Sequence, residues 1–344
     1  MTTNQEKYKS AGVDAEHAGD LIRGLMADAG ATGPLPRDYY CQLLPLPDWM
    51  AAHHGSYLAL GTDGVGTKLL LGTQTGLLNC IGQDLVAMVY NDLITCGGQP
   101  FAFLDYYAAG KLDADQYAAV IRSIRAACDA CDMPLLGGET AEMPGLYRVG
   151  EFDLAGFGVA GVREPEILAP VRTMPGDVLV GFPSSGFHSN GYSLIRKVIS
   201  EKKLDLDAEH TFNGATRALK SWLMEPTRLY TDVIAAIRAG DIDVIALAHI
   251  TGGGWFENLP RALAEGCGAR LDGRAFDAPH SALFHWFADV AAMSREEMLA
   301  TFNGGYGLVA VCRPPAVDNI LEIFPDAQVV GEVVERGAGR VAVT

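Results

Sequence analysis

The stretch LALGTDGVGTKLLL, residues 58–71, places glycines, an acid and a lysine together at the end of an apolar run. A P-loop wraps phosphates with consecutive backbone N–H groups and puts a lysine directly after its last glycine. Here Thr67 holds that place, Lys68 comes one residue late, and LLL reads as strand where a helix should begin. The dinucleotide fingerprint fails as well, because no third glycine follows Gly64 and Gly66. A metal–phosphate corner fits the residues better. Asp63, at the end of a buried strand, would hold Mg²⁺ through its carboxylate. Gly64 and Gly66 would let the backbone approach phosphate, with Lys68 as compensating charge. The plain alternative is a hairpin turn around Asp63 and Gly64, and the loop alone leaves both readings open.

Mg²⁺ takes one or two carboxylates and completes its shell with phosphate oxygens and water, so further acids should converge. In GQDLVAMVYNDL, Asp84 and Asn91 lie two helical turns apart, with Asp92 close by on a wide shared face. In GGETAEMPG, Glu139 and Glu142 crowd a glycine turn at a strand end. Any one of these acids can be a solvated side chain; three acid-bearing junctions before residue 145 argue for a shared task. His188 in SSGFHSNG and His249 in AHITGGG also stand beside glycine loops. No G-x-S-x-G elbow surrounds Ser184, Ser185 and His188, which argues against a nucleophilic serine. Each histidine reads either as a donor to phosphate or a substrate oxygen, or as a satisfied structural residue.

The elements that must position these groups alternate along the chain. A helix is expected over 14–29, then a proline-punctuated connection, then the strand YLALG ahead of the glycine loop. GQDLVAMVYNDLITCG reads as a helix stopped by Gly97-Gly98, and PFAFLDYYA as a strand. A helix follows over about 114–131, with Asp113 and Gln116 placed as a capping-box variant. MPLLGGETAEMPG and DLAGFGVAGV are further strands. REPEILAPVRTMPGD, residues 163–177, holds three prolines and reads as a domain junction. Beyond it the order strand, small-residue loop, helix occurs twice: DVLVGF, PSSGFHSNG, YSLIRKVIS and then VIALAHI, TGGG, FENLPRALAEG. Each repeat leaves unpaired N–H groups at a helix start, a ready anion site. The alternation argues for α/β layers.

The 344 residues suffice for two ordinary domains. A formal net charge of −16 argues against non-specific binding to nucleic acid or an anionic membrane, and an anionic substrate would need a metal or a local donor cluster. The polar start MTTNQEKYKSAGVD lacks a signal-peptide core, and no run of apolar residues is long enough to span a bilayer. Seven scattered cysteines fit reduced thiols in the cytoplasm. Cys128 and Cys131 form a C-x-x-C, yet with Tyr117, Val120, Ile121 and Ile124 they fall on one helix face, which reads as core.

Taken together these stretches are more specific than any one of them. YKSAGVD, GTDGVGTK, IGQDLVAMVYNDL, FLDYYAAGKLD, GGETAEMPG, SSGFHSNGYSL, HITGGG and FNGGYG follow one another as in the phosphoribosylformylglycinamidine cyclo-ligase family, and the chain resembles that family from about Tyr8 to Gly307. The wider superfamily's D-x4-G-A-x-P is matched from Asp92 through Gly97, Gly98 and Pro100, with glycine in the alanine place. The resemblance implies a two-domain α/β (α+β layers) PurM-like fold, divided at 1–168 and 169–344. Its N-terminal sheet would close a barrel with that of a second subunit in a homodimer, and its C-terminal domain would be an α/β layer.

It further implies that ATP and Mg²⁺ convert formylglycinamidine ribonucleotide to aminoimidazole ribonucleotide, ADP and phosphate. An amide oxygen leaves poorly until it is phosphorylated, so such catalysis is mainly positioning and charge neutralisation. On this reading Asp63, Asp92 and Asp84 or Glu142 hold Mg²⁺, and Lys68, His188 and Asp92 are catalytic. Lys68, with Gly64, Gly66 and Thr67, grips the nucleotide, joined by Asn91, Gly138 and Glu139. The substrate falls to Ser185, Gly186, His188 and Asn190 on one loop, and to His249, Thr251, Gly252 and Gly253 on the other. One departure stands out: the family's glycine-rich, lysine-bearing stretch before GTDGVGTK is missing. Between Lys9 and Lys68 there is no lysine, only Arg23 and Arg37, so Lys9 is expected to join Lys68 at the phosphates. The alternatives are another ATP-dependent kinase or synthetase of the superfamily, or a nucleotide-binding paralogue without catalysis. Retention of Asp63, Lys68, Asp92 and Glu142 weighs against the paralogue.

Overall fold

A computed structural model describes the strand Gln42–Pro45, residues 55–337 and residues 339–344. The helix expected over 14–29, Lys9, and the two arginines at 23 and 37 lie outside the described residues.

The first layer contains β1 (Gln42–Pro45), β2 (Ser56–Gly64), α1 (Lys68–Thr75), α2 (Ile81–Ile94), β3 (Gln99–Ala109), α3 (Ala114–Ala130), β4 (Leu135–Glu142) and β5 (Phe152–Arg163). Its sheet runs β1-β2-β5-β3-β4, antiparallel except for the β3–β4 pair. Helix α2 lies on one face of the sheet. Glycines on β5 admit it: a Cβ at Gly158 would sit 2.6 Å from Val89 of the helix, and one at Gly156 would come within 3.2 Å of Leu85. Every residue of α2 except Gln83 and Asp92 is buried, because the second layer covers its other side. Helix α3 is amphipathic, burying Val120, Ile124, Ala127 and Cys128 at helical spacing, and Asp113 caps it by accepting from the amides of Asp115 and Gln116. Burial pushes the thiols of Cys128 and Cys131 up to about 12, so both are inert core residues.

LLL after the glycine loop is helical, contrary to the strand expected for it. Gly66 turns the chain at φ +67°, and α1 then buries positions 68, 69, 71 and 72, a helical pattern that a short apolar run does not reveal by itself. Gly64 remains in β2, so the hairpin alternative fails and the loop joins strand to helix.

The second layer follows two short 3₁₀ turns in the proline-rich junction. It comprises β6 (Val178–Pro183), α4 (Tyr192–Lys202), the hairpin β7 (Glu209–Phe212) and β8 (Ala215–Ala218), α5 (Leu219–Leu223), α6 (Thr231–Ala239), β9 (Ala246–His249) and α7 (Gly254–Asn258). Then come β10 (Cys267–Leu271), α8 (Ala282–Ala291), α9 (Arg295–Leu299), β11 (Tyr306–Cys312), α10 (Val317–Ile323), β12 (Gln328–Glu335) and β13 (Val341–Val343). The sheet order is β13-β10-β12-β6-β11-β9. Strand β11 is buried at all seven residues, covered on both faces as its unbroken apolar sequence requires. The helix expected over FENLPRALAEG ends at Asn258, because Pro260 cannot donate to the preceding turn, and a 3₁₀ turn replaces the rest.

Candidate active site in the interdomain cleft

Two carboxylates from different elements meet where the layers face each other. Asp63, next to last in β2, accepts from the Gly64 amide at 2.7 Å. Its pKa is pushed up to about 6, first by burial and then by the charge of Asp92, against smaller opposing effects of the Gly64 amide and His249. Asp92 reaches in from α2, and its Oδ1 lies 2.7 Å from Nδ1 of His249 at the end of β9. A proton on Nδ1 satisfies that contact and leaves Nε2, which is buried without a partner, as an acceptor.

The walls of the cleft, about 410 Å³, are the backbone from Asp63 to Gly66, Met88, Ser189, Asn190, Thr251 and Gly252. Ser189 donates to the Val65 carbonyl at 2.7 Å, and the Thr67 and Ser193 hydroxyls lie 3.0 Å apart, so the glycine loop and the start of α4 are stitched across the domain boundary. The Thr251–Gly254 loop is rigid for a different reason. Gly253 and Gly254 adopt φ +84° and +59°, and a Cβ at Gly254 would fall 2.0 Å from the Leu299 carbonyl oxygen. The Asn258 amide then donates to the carbonyls of Gly252 and Gly254 at 3.0 and 2.8 Å.

These donors suit a hard cation beside a phosphate. The negative charge of Asp92 makes ionisation of Asp63 costlier, which invites a divalent ion between the two carboxylates, and the rest of the corner offers backbone N–H groups. Among the described residues no group of three or more His, Cys, Asp or Glu side chains is placed to hold a metal ion.

Several predicted residues go elsewhere. Lys68 is fully buried and donates to Asp84 (2.8 Å) and to the carbonyls of His188 (3.0 Å) and Glu225 (2.7 Å), so its ammonium is turned away from the cleft. Asp84, also fully buried, accepts through Oδ1 from Lys68 and from N and Oγ1 of Thr227. Asn91 donates to the Arg228 carbonyl at 2.8 Å and accepts from the Tyr230 amide at 3.2 Å. Placed this way, Lys68, Asp84 and Asn91 make contacts between the two layers. Strand order separates Gly138, Glu139 and Glu142 from the corner. Gly64 pairs with Ala155, Ala155 with Tyr106 and Tyr106 with Glu139, which puts Glu139 three strand spacings away, about 14 Å. Glu142 is exposed and accepts from the Leu112 amide at 2.7 Å.

Ser185 uses its hydroxyl on the Pro226 carbonyl, and its amide, not its hydroxyl, donates to Nε2 of His188 at 3.3 Å. No serine nucleophile is assembled there. The carbonyl of the buried Gly186 accepts from Asn303 at 2.9 Å. His188 lies beneath the loop at φ +59°, fully buried, with Nδ1 unpartnered. Burial first, then the electrostatic influence of His249, Lys68 and Arg228, holds its pKa well below 6.5, so the ring is neutral. Sequence reasoning missed the segment 225–230, which receives Asp84, Asn91 and Lys68, and it missed Asn258. Neither carries a spacing that marks it.

Two α/β layers meeting at an acid- and glycine-lined cleft define a PurM-like protein. The HypE–HypF complex superposes with a TM-score of 0.68 at 18% identity, covering 94% of this chain and 95% of that one. AaThiL complexed with AMPPCP and TMP gives 0.65 at 17%, covering 96% and 93%. At such identity the likeness is one of fold. Sequence narrows it further. Residues 47–162 match the N-terminal domain of AIR synthase related proteins, and residues 174–344 match the C-terminal domain. The phosphoribosylformylglycinamidine cyclo-ligase of Aromatoleum aromaticum is 46% identical over 280 residues, 81% of this chain and 78% of that protein. That of Polaromonas sp. is 42% identical over 363 aligned residues, 98% of each, and the chloroplastic/mitochondrial one of Vigna unguiculata 42% over 316, covering 92% and 77%. The chain belongs to the AIR synthase related family and, within it, to the phosphoribosylformylglycinamidine cyclo-ligases.

Proposed function

We propose that the chain closes the imidazole ring of aminoimidazole ribonucleotide from formylglycinamidine ribonucleotide, consuming ATP. The terminal phosphoryl group of ATP goes to the amide oxygen, the amidine nitrogen attacks the activated carbon, and ADP and phosphate are released. What carries this reaction, beyond the class, is the 42–46% identity to cyclo-ligases over most of the chain, since the solved structures support the fold alone.

Asp63 and Asp92 would hold Mg²⁺, which supplies charge neutralisation to the transferring phosphoryl group when bound. The amides of the Gly64–Gly66 loop, at the start of α1, would receive ATP phosphates. Ser189 and Asn190 on one wall and Thr251 to Gly253 on the other would orient the ribonucleotide. His249 holds Asp92 in place through Nδ1. With Lys68 occupied elsewhere, Lys9, expected at the phosphates from the sequence, would help to neutralise the nucleotide.

The division into an N-terminal nucleotide domain, 1–168, and a C-terminal domain, 169–344, belongs to the same proposal, as do a cytoplasmic setting and a homodimer. The dimer draws support from the uncovered face of the first sheet, where Phe101, Leu104, Tyr106 and Phe157 are 48, 42, 37 and 37% exposed on neighbouring strands. Among the described residues no helix is long and apolar enough to cross a membrane. The test is ADP release with and without formylglycinamidine ribonucleotide, alongside detection of the aminoimidazole. ADP formed in step with that product, and only with Mg²⁺, supports the reading; ADP release indifferent to the ribonucleotide, with no aminoimidazole, rejects it.

A further inference from the structure

Lys68 stands where a phosphate-binding lysine is expected and is built into the protein as a bracket. It is rooted at the start of α1 and pairs with Asp84 on α2, and neither side chain is exposed. From that pair the contacts run into the second domain at two separate segments. The His188 carbonyl accepts from Lys68 in the 184–191 loop, and the Glu225 carbonyl, with N and Oγ1 of Thr227, closes the 225–227 side. The first segment carries Ser189 and Asn190 into the cleft wall. The second is tied back to it by Ser185, which donates to the Pro226 carbonyl at 2.6 Å.

A buried ion pair is a costly way to hold two domains, since well-packed apolar residues of equal volume often do as well or better. An apolar contact, however, has no direction. An ammonium offers three directed protons, and here they fix a carboxylate and two carbonyls from three parts of the chain at once. The left-handed backbone of His188 aims one of those carbonyls inward, away from the cleft that the next two residues line.

We propose that Lys68 and Asp84 are positioning residues for the reaction, setting the 184–191 loop against the Asp63–Asp92 corner without touching the nucleotide. The inference rests on the function proposed above for what the loop holds, while the bracket itself can be read without turnover.

The experiment compares Lys68→Met, Asp84→Asn and the double variant, using full-length protein, ATP and formylglycinamidine ribonucleotide as separate probes. Lys68→Met should lower kcat/KM for the ribonucleotide about 10²-fold while the directly measured Kd for ATP stays within about threefold of wild type. Hydrogen exchange should quicken in the amides of 184–191 and 225–230 and stay unchanged in 63–66. Adding Asp84→Asn to Lys68→Met removes the stranded buried charge and should recover about tenfold of the lost activity. A lysine that swings out to grip phosphate gives the opposite pattern: ATP affinity falls, the ribonucleotide KM holds, and Asp84→Asn rescues nothing. That result overturns the proposal, as does a Lys68→Met protein with wild-type kinetics and exchange. If Lys68→Met does not fold, Asp84→Asn alone decides by the same split between ribonucleotide and ATP and the same loop exchange. A wild-type protein without aminoimidazole formation rejects only the proposed reaction; exchange and the ATP Kd still read the bracket.

Discussion

Asp84 and Asp92 sit on the same helix, eight residues apart, and do opposite work. Asp84 is sealed with Lys68 and Thr227 on its Oδ1, while Oδ2 is buried without a partner and burial raises its pKa against the pull of Lys68 and Thr227. Asp92 keeps 19% of its side chain exposed, shares the cleft edge with Asp63 and, among the described residues, is met by the imidazole of His249. The two sites hold the same chemical group with opposite accounts of its charge. At Asp84 the countercharge is a lysine of the chain itself, whereas among the described residues no lysine or arginine pairs with Asp63 or Asp92. An acid whose charge is already balanced can only hold structure; a pair left unbalanced is available for a metal.

The largest effect should come from the unbalanced side. Asp63→Asn and Asp92→Asn should each lower kcat about 10²–10³-fold, the usual cost of removing one group that stabilises transition-state charge. Their thermal stability should hold, and for Asp63→Asn it should rise slightly above about pH 6, because the native state then no longer carries a carboxylate whose pKa burial has raised. Thermal melts beside steady-state kinetics at several Mg²⁺ concentrations check both halves. Normal turnover by both variants would erase the distinction between the two aspartates.

The contrast also shows how far the sequence could be read. The strand and helix order was legible from apolar periodicity, apart from α1, and the glycine loop after β2 and the acidic face of α2 marked the two elements whose aspartates, Asp63 and Asp92, come together. The fate of Lys68 and Asp84 was not, because their partners arrive from residues 188, 225 and 227, and no local spacing announces a carbonyl delivered from the other domain. Glu139 and Glu142 stand apart from the Asp63 corner for a related reason. They end an apolar strand beside glycines just as Asp63 does, but β5 and β3 intervene between β2 and β4 in the sheet. Motif content predicted which elements matter; strand order decided which of their acids could meet.

If Lys68 is withheld from the phosphates, positive charge must come from elsewhere, and Lys9 is the nearest lysine in sequence to the missing stretch. Lys9→Met should lower kcat/KM for ATP about 10²-fold with thermal stability unchanged. A lysine near a terminus ordinarily faces water and contributes nothing. Unaltered kinetics would return Lys9 to that role and move the search to Arg37.

The smallest expected effect belongs to the buried side and appears as a dependence on pH. His188 is fully enclosed and its pKa lies well below the ordinary 6.5, through burial and then the electrostatic influence of His249, Lys68 and Arg228. In the unfolded chain the same imidazole takes up a proton near pH 6.5, while the native protein refuses it until lower pH. Protons therefore favour the unfolded state, and stability should fall as pH drops below about 6.5, by at most about 1.4 kcal/mol per pH unit for one such group. His280, also held low by burial, adds to the fall with the same sign, so the comparison must be made against a variant. His188→Asn suits the purpose because asparagine tolerates the left-handed backbone at φ +59° and does not titrate. The variant will be less stable at pH 7.5, having lost a packed ring, yet it should lose less between pH 6.5 and 5 than wild type in urea unfolding. Equal losses would mean that His188 takes up its proton in the folded protein, and the neutral, structural role assigned to it beneath the loop would fail.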